Sequence, residues 1–307
     1  MTGPGPDSHL VVDIGKSQTR VQLQHTAYHR IGPGASPEAA AAAGAGRVLA
    51  ELVDRACGDL DRPVGRITVG TTFLPDPTGI QEARARLSAR WPGAAVDIFA
   101  DGVLAHAAAL GAPGTVATIG TGTAVLGLDS AGRLRQKDCW GPDLGDRGSA
   151  AELGRAGLRL ACASIDTVAD APGLERAGTR WFGRRLDTRA AAELLAGPDR
   201  VRRLASFARV VCELAAEDDP AAAELVRQAA EAAAGTCAAM ARSVRESAVV
   251  VLGRLAEMPA YRRQLTLALT RAGLQERPAV STVLQVSARV LDLPAYRAWT
   301  GRSPLPD

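Results

Sequence analysis

Two glycine-containing hairpins, far apart in the chain, have almost the same layout. Residues 11–23 form an apolar segment, a tight turn of small and polar residues, and an alternating segment; residues 116–128 repeat this order, with Gly120 in the place of Gly15. Turns of Gly, Ser and Thr between strands direct backbone N–H groups and hydroxyls into one concavity, which suits phosphate oxygens. One such turn is also typical of an ordinary hairpin. Two matched turns, one opening each half of the chain, predict two similar lobes that clamp a nucleotide.

The size and charge of the chain limit the number of domains and the kinds of partner that it can have. Its 307 residues correspond to about two domains. The formal net charge is only +3, and the arginines alternate with acidic residues along helical stretches. This pattern is typical of solvated helix faces and argues against a nucleic-acid partner.

The cysteines and the apolar segments exclude further classes. The five cysteines are scattered and never have CxxC spacing, which argues against a disulfide framework, a metal site or an iron–sulfur cluster. The N-terminal residues carry no basic-then-apolar signal pattern, and no apolar stretch is long enough to span a bilayer. We therefore expect a cytoplasmic protein with no membrane partner.

Residues 1–112 are predicted to form the first lobe. The hairpin is followed by alternating helices and strands in the order β-β-β-α-β-α-β-α, which favours a mixed sheet with helices on its faces. The expected elements after the hairpin are a strand 27–31, a helix 37–57, a strand 66–71, a helix 78–90, a strand 95–100 and a helix 102–110. A C-terminal helix, 288–302, is expected to join this lobe.

Residues 113–287 are predicted to form the second lobe. Strands follow Gly114, residues 149–245 are largely helical, and a final apolar strand, 247–252, ends at Gly253. A helix from Pro259 to Ala272 follows it. The second lobe is therefore expected to carry a long helical insertion between its strands.

Three segments in this order resemble a known group. Asp13-Ile-Gly-Lys-Ser-Gln-Thr19 and Gly120-Thr-Gly-Thr123 resemble the two phosphate loops of the actin-like ATPase and sugar-kinase superfamily. The segment that begins at Trp140, Trp-Gly-Pro-Asp-Leu-Gly-Asp-Arg-Gly-Ser, resembles the W-G-x-x-x-G-D-x-G-S motif of N-acetylglucosamine kinases and of the wider BadF/BadG/BcrA/BcrD ATPase family. The resemblance extends over about Val11 to Leu269. It implies an α/β fold of two actin-like (ribonuclease H-like) lobes, each a mixed sheet flanked by helices, with the active site in the cleft between them.

The resemblance assigns the nucleotide to the two turns. The ATP phosphates are expected at Gly15, Lys16, Ser17 and Thr19 of the first turn and at Gly120, Thr121 and Gly122 of the second. Gly253 falls where the adenosine-binding strand end is expected. Asp13, beside a glycine turn at the end of a strand, is suited to anchor Mg²⁺ through water, because Mg²⁺ keeps several of its waters. By itself, an aspartate at this position is also typical of an Asx turn.

Asp101 is the candidate general base. It follows the apolar strand 95–100 and begins a helix, so its carboxylate is held at a strand end. In the kinases that this chain resembles, an aspartate at this position accepts the proton of the sugar hydroxyl that attacks the γ-phosphate. The alternative is helix N-capping, which Asp does well. The two roles are compatible.

The Trp140 motif carries the expected sugar site. By the same resemblance, the indole of Trp140 offers a flat apolar surface to a pyranose, and Asp146 accepts hydrogen bonds from ring hydroxyls. Gly141 and Thr123 are the further candidates for sugar contact. Taken singly, a tryptophan is more often a core residue, and Asp146 would more often cap the helix that starts near Ser149.

Three departures from the family pattern bear on substrate and nucleotide. The chain contains no asparagine, although related sugar kinases use an asparagine in the first lobe to hold the sugar, so glucosamine stays a candidate beside N-acetylglucosamine. The first turn has Gly-Lys-Ser-Gln where Gly-Gly-Thr-Lys is commoner. Arg254 follows Gly253 where a second glycine is more usual, so the nucleotide preference stays open.

The favoured hypothesis is an ATP-dependent amino-sugar kinase that uses Mg²⁺ and phosphorylates the 6-hydroxyl of glucosamine or N-acetylglucosamine. Its partner is then a small-molecule amino sugar, and a homodimer is an expectation left open. Two alternatives are a non-catalytic sugar or nucleotide sensor of the same fold, and a BadF-type ATPase that activates a partner protein. The scattered cysteines argue against the second alternative, since such activators hold a cluster through paired cysteines. The presence of both Asp13 and Asp101 argues against the first, since a pure binding protein needs no base.

Overall fold

The computed structural model describes residues 8–302, except residues 17, 36 and 198 and the side chain of residue 38. The chain divides into two compact units. Unit 1 extends to Pro113 and takes up the segments Ser130–Leu134 and, near the C-terminus, the residues from Ala279 onward. Unit 2 comprises Gly114–Asp129 and Arg135–Pro278. Residues 279–287, which we expected in the second lobe, thus belong to unit 1.

The sheet of unit 1 has five strands in the order β3-β2-β1-β4-β5. The strands are β1 (His9–Ile14), β2 (Gln18–Leu23), β3 (His29–Pro33), β4 (Arg66–Thr71) and β5 (Ala95–Ala100). β1, β2 and β3 pair in succession as antiparallel strands, whereas β4 pairs in parallel with β1 and β5 in parallel with β4. β1 lies at the centre of the sheet because its side chains are apolar on both faces, as is typical of a strand covered on both sides.

Helices cover both faces of this sheet. The helices of unit 1 between its strands are α1 (Pro37–Ala43), α2 (Ala45–Ala56), α3 (Pro77–Arg90) and α4 (Asp101–Ala109). α2 packs on β1, β2 and β3, and α3 packs on β5, and their apolar residues share one core with these strands. On the opposite face, Leu104 of α4 lies against Gly70 of β4. The single helix expected over 37–57 is divided at Gly44, which has a φ of +85°. A helix cannot continue through that left-handed conformation.

Unit 2 repeats the strand order of unit 1. Its strands are β6 (Gly114–Ile119), β7 (Thr123–Leu128), β8 (Leu134–Asp138), β9 (Ala248–Leu252) and β10 (Gln275–Glu276), in the order β10-β9-β6-β7-β8. β7 is antiparallel to β6, whereas β9 is parallel to β6 and β10 is parallel to β9. Each unit is therefore a hairpin-led mixed sheet, as the matched sequences of the two turns predict.

The second unit carries a large helical insertion between β8 and β9. The helices of unit 2 are α5 (Ala150–Ile165), α6 (Pro172–Phe182), α7 (Thr188–Ala196), α8 (Arg200–Ala216), α9 (Pro220–Val244) and, after β9, α10 (Pro259–Arg271). The alanine-rich α9 packs closely on β6 and β7. Gly127 makes this approach possible, because a Cβ there would lie 2.5 Å from the sulfur of Met240.

The C-terminal segment returns to unit 1. Where one helix was expected over 288–302, the structure has two short helices, α11 (Ala288–Leu291) and α12 (Pro294–Arg297). Pro294 ends continuous helical hydrogen bonding and starts the second helix. The segment is fixed by a hydrogen bond of 2.9 Å between Tyr296 Oη and the buried His106 Nδ1 of α4, and by Asp97, which pairs with Arg66 at 2.7 Å and Arg297 at 2.6 Å. Among the described residues, no helix is both long enough and apolar enough to cross a membrane.

Candidate active site

The first glycine turn joins β1 to β2 at the carboxyl end of β1. Its frame is closed by the Gly15 N–H, which donates to the carbonyl of Gln18 at 2.9 Å. Lys16 is exposed at the tip, and its N–H donates no hydrogen bond within the described part of the chain. Ser17, a predicted phosphate contact, lies outside the described residues. The turn can thus offer a backbone N–H and an ammonium group to an anion.

Asp13 stands directly before this turn. Its side chain is 13% exposed and pairs with the guanidinium of Arg20, whose Nε donates to Oδ2 at 3.1 Å. No group of three or more His, Cys, Asp or Glu side chains is placed to hold a metal ion in the described ranges. A single carboxylate of this kind suits Mg²⁺, which binds proteins through one or two carboxylates and otherwise through phosphates and water.

The structure corrects the expected role of Thr19. This residue is fully buried, and its hydroxyl donates to the carbonyl of Pro33 in β3 at 2.8 Å. Because side chains alternate between the two faces of a sheet, the Thr19 side chain lies on a buried face and not at the tip of the turn. Thr19 therefore holds the hairpin to β3 and does not offer a donor to phosphate.

Asp101 follows β5 at the same edge of the sheet as the first turn. In the parallel register, Ile14 pairs with Thr71 of β4, and Thr71 pairs with Ala100. Asp101 therefore begins α4 two strands away from Gly15, at a lateral spacing of about 10 Å. This is the carboxyl edge, where open α/β sheets bind their ligands.

Gly70 was not recognised from the sequence, although it helps to set the position of Asp101. A Cβ at Gly70 would lie 2.7 Å from Cδ2 of Leu104 in α4. Only glycine lets the helix that begins with Asp101 approach β4 this closely. A glycine inside a predicted buried strand was the available signal, since it often marks a close approach of another element.

The electrostatic surroundings of Asp101 alter its acidity. Although water can reach its side chain, the neighbouring protein limits solvation of its negative charge. This desolvation, reinforced by the nearby negative Asp13, raises the pKa of Asp101 to about 6, against the opposing effects of the Gly102 N–H and Lys16. The Gly102 N–H donates to Oδ1 at 2.7 Å. A carboxylate with a pKa of about 6 has the basicity expected of a general base that works at neutral pH.

The second glycine turn is held by hydrogen bonds from the start of a helix. Gly120 donates its N–H to the carbonyl of Gly122 at 2.9 Å, as Gly15 does within the first turn. The carbonyls of Gly120 and Thr121 accept N–H bonds from Ala150 at 2.9 Å and Ala151 at 3.1 Å, at the start of α5. The N–H groups of Thr121 and Gly122 donate to no other described residue and are available to an anion.

Asp146 lies against this turn. Its Oδ1 accepts the N–H of Thr123 at 3.3 Å, and its Oδ2 would lie 2.6 Å from a Cβ on Gly122. Gly122 is therefore a glycine because the carboxylate occupies the space of a side chain. Thr123 is buried and its N–H is bonded to Asp146; its expected contact with sugar stays a prediction.

The other motif residues lie on the same loop. The indole of Trp140 is 56% exposed and borders an open groove of about 460 Å³. Gly141, with a φ of +81°, accepts the N–H of Gly145 at 2.8 Å and so shapes the loop. Asp138 was missed from the sequence: its buried carboxylate accepts the N–H groups of Asp146 and Arg147.

Gly253 follows β9 at the carboxyl edge of the second sheet. Leu252 pairs with Thr118, and a Cβ on Gly253 would lie 2.3 Å from the carbonyl oxygen of Ile119. Together with its φ of +108°, this close approach explains the glycine. It also brings the expected adenosine-binding strand end beside Gly120, at the start of the second turn.

The two five-stranded mixed sheets, each flanked by helices and led by a glycine hairpin, define an actin-like sugar-kinase fold. The sequence carries the family assignment further. The model of the BadF/BadG/BcrA/BcrD ATPase family matches residues 12–287, and the chain therefore belongs to this family.

Solved structures agree with the fold. A protein named "Putative N-acetylglucosamine Kinase" from Chromobacterium violaceum has a TM-score of 0.73 at 23% identity, over 94% of this chain and 100% of that one. A protein of the same name from Porphyromonas gingivalis has a TM-score of 0.72 at 18% identity, over 92% and 98%. A ROK family glucokinase from Streptomyces griseus, in complex with glucose and AMPPNP, has a TM-score of 0.52 at 18% identity, over 95% and 99%. No curated protein matches the chain.

Proposed function

We propose that this chain is an ATP-dependent amino-sugar kinase that transfers the γ-phosphate of ATP to the 6-hydroxyl of glucosamine or N-acetylglucosamine. The observation that carries the proposal is the position of Asp101, which begins α4 at the sheet edge that also carries Asp13. Desolvation, which raises the pKa of Asp101 to about 6, supports the proposal. Membership of an ATPase family and the names of the similar structures, two of them "Putative N-acetylglucosamine Kinase" and one a ROK family glucokinase, support it further.

Asp101 supplies the proton acceptor. At neutral pH its carboxylate is ionised, yet it is more basic than an ordinary aspartate, so it can take the proton of the sugar hydroxyl as that oxygen attacks phosphorus. The Gly102 N–H, bonded to Oδ1 at 2.7 Å, fixes the direction of the carboxylate. A base held in this way contributes about 10²–10⁴-fold in rate.

The two turns and Asp13 hold the triphosphate. Phosphoryl transfer depends on positioning and on neutralised charge more than on covalent help from the protein. Lys16 and the N–H groups of Thr121 and Gly122 are the donors for phosphate oxygens. Asp13 would hold Mg²⁺, which would neutralise phosphate charge when bound; the Asp13 carboxylate also pairs with Arg20.

Trp140 and Asp146 orient the sugar. A half-exposed indole can cover the apolar face of a pyranose, and a carboxylate fixed beside Gly122 can accept hydrogen bonds from two ring hydroxyls. Correct orientation of the attacking hydroxyl can lower the activation barrier of phosphoryl transfer by several kcal/mol. The homodimer expected from the sequence stays a prediction.

The proposal is tested by ADP release from the purified protein with Mg·ATP and glucosamine, N-acetylglucosamine, glucose or no sugar. We expect release that depends on one of the two amino sugars, and the preferred one states whether the amine or the amide is recognised. Sugar-independent release would contradict the proposal in favour of an ATPase that acts on a partner. Binding of ATP with no turnover on any sugar would contradict it in favour of a sensor.

A further inference from the structure

The carboxylate of Asp138 is a buried charged group near Trp140 that the proposed chemistry does not use. Asp138 ends β8, directly before Cys139 and Trp140, and it is only 4% exposed. A buried carboxylate is unfavourable unless hydrogen bonds satisfy its oxygens. Its partners therefore indicate its role.

Asp138 accepts two successive backbone N–H groups. Its Oδ1 accepts the N–H of Asp146 at 2.5 Å, and its Oδ2 accepts the N–H of Arg147 at 3.0 Å. Nη1 of Arg147 lies 3.4 Å from the same Oδ2. Charge-assisted bonds of this kind are about twice as strong as neutral ones, and two of them on neighbouring residues fix the backbone between them.

The backbone that they fix is in an unfavourable conformation. Asp146 has a φ of +58°, a left-handed conformation that a non-glycine residue keeps only where the surroundings enforce it. Gly145 leaves room for the enforcing group, because a Cβ there would lie 2.5 Å from Asp138 Oδ1. On the other side Gly148 lies against the carbonyl of Ala229, 2.3 Å from the position of a Cβ.

We infer that Asp138 is a positioning residue for the sugar site: it holds residues 145–148 so that the Asp146 carboxylate stays beside the second glycine turn. The inference rests on the proposed function for the role of Asp146 toward sugar. The chain of contacts is continuous, from Asp138 Oδ1 to the N–H of Asp146, and from Asp146 Oδ1 to the N–H of Thr123.

Two substitutions separate this role from simple loss of structure. Asp138→Gly removes both acceptors and suits the φ of +64° at this position. Asp138→Asn keeps one acceptor oxygen but turns an amide donor toward a backbone N–H. Asp143→Asn is the matched control, because Asp143 is an exposed carboxylate of the same loop whose bond of 3.1 Å goes to Arg200 and not to the backbone of 145–148.

The kinetic readout is the KM for the amino sugar against the KM for ATP. We expect the sugar KM to rise about tenfold in Asp138→Gly, less in Asp138→Asn and not at all in Asp143→Asn, since a hydrogen bond to a charged group is lost. The ATP KM should change less than about twofold, because the second turn is also held by Ala150 and Ala151 of α5. Equal changes in both KM values would overturn the inference.

Hydrogen–deuterium exchange of the peptide that spans residues 139–149 gives a readout independent of activity. The amides of Asp146 and Arg147 should exchange slowly in the unsubstituted protein and at least about tenfold faster in Asp138→Gly. Unchanged exchange would overturn the inference, as would faster exchange with an unchanged sugar KM. If the unsubstituted protein phosphorylates no sugar, the proposed function fails, while the exchange experiment still decides whether Asp138 holds the turn.

Discussion

The two units share one strand order but differ in what surrounds their glycine turns. In unit 1 the turn after β1 is flanked by charge: Asp13 precedes it, Lys16 forms its tip, and Asp101 lies two strands away. In unit 2 the residues of the turn after β6 are uncharged, the Asp146 carboxylate lies against them, and the turn carbonyls accept the N–H groups that begin α5. The first turn is thus accompanied by charges of both signs, whereas the second is accompanied by one carboxylate and is held by the start of a helix.

The connections between the strands account for this difference. Unit 1 links β3 to β4 through α1 and α2 alone. Unit 2 links β8 to β9 through residues 139–149 and α5 to α9, and this insertion supplies both Asp146 and the helix start that bonds to the second turn. The length of one connection therefore changes what surrounds the second turn.

The sharpest difference between the units is the base, so its removal should have the largest effect. Asp101→Asn should lower kcat by at least about a hundredfold and leave ATP affinity nearly unchanged, as measured by steady-state kinetics and nucleotide titration. The N-cap of α4 is Ala100 and no side chain caps this helix, so α4 should remain intact in Asp101→Asn. Asp76→Asn is the control: Asp76 caps α3 by accepting the Gly79 N–H at 2.7 Å, and its substitution should not affect kcat. Wild-type turnover in Asp101→Asn would disprove the assignment of the base and make Asp146 the next candidate.

The second prediction tests the neutral turn. Gly122→Ala should lower kcat/KM by about tenfold to a hundredfold, because its Cβ would meet Asp146 Oδ2 at 2.6 Å and displace a substrate-orienting group. Gly120→Ala is the control within the same turn, since no atom lies within 4 Å of its Cβ. In the charged turn, Gly15→Ala should have an intermediate effect, with Gln18 O 3.3 Å from its Cβ. Equal losses of kcat/KM in Gly122→Ala, Gly120→Ala and Gly15→Ala would contradict the expected difference between the two turns.

The third prediction is a pH dependence of kcat/KM that should arise from Asp101 at the sheet edge of unit 1. Asp101 must be ionised to accept a proton, so kcat/KM for the sugar should rise by up to tenfold per pH unit below about pH 6 and level off above it. Asp101→Asn should lack this rise. A wild-type profile that levels off near pH 4 would show that the Asp101 pKa is not raised.

Protein stability gives a smaller, independent measure of the same pKa. Folding raises the pKa of Asp101 from 3.8 to about 6, so the ionised carboxylate disfavours the folded state. This cost is fully present above about pH 6 and disappears below about pH 3.8. Asp101→Asn should therefore raise the melting temperature modestly at neutral pH, and the gain should shrink as the pH falls toward 4.

The strands and the site motifs could be predicted because their signals are local. β4 and β5 have the bounds expected from their apolar runs, and the helix that begins with Asp101 follows β5 directly. Gly44 and Pro294 mark two places where the predicted helix was wrong. Each divides a segment that helical composition alone predicted as continuous, because one residue's φ or missing N–H decides whether a helix can pass.

Thr19, Thr123 and Asp138 show what local signals cannot supply. The first two are hydroxyl residues of the predicted turns, and the fold buries both side chains and bonds the Thr19 hydroxyl to the Pro33 carbonyl. Asp138 gave no signal at all, since an aspartate at the end of a polar strand resembles any surface carboxylate. Its role depends on amides eight and nine residues further on.

The repeated hairpins, the family motifs and the candidate reactive residues can be recognised in the amino-acid sequence, because they depend on periodicity and on residue type. The fold is needed to show which of these residues lie at the sheet edge, how far the pKa of Asp101 rises, and that Asp138 contacts the backbone of Asp146. Those properties depend on distances between residues that are remote in the chain and on how much water the fold excludes, and neither quantity is encoded in any local pattern.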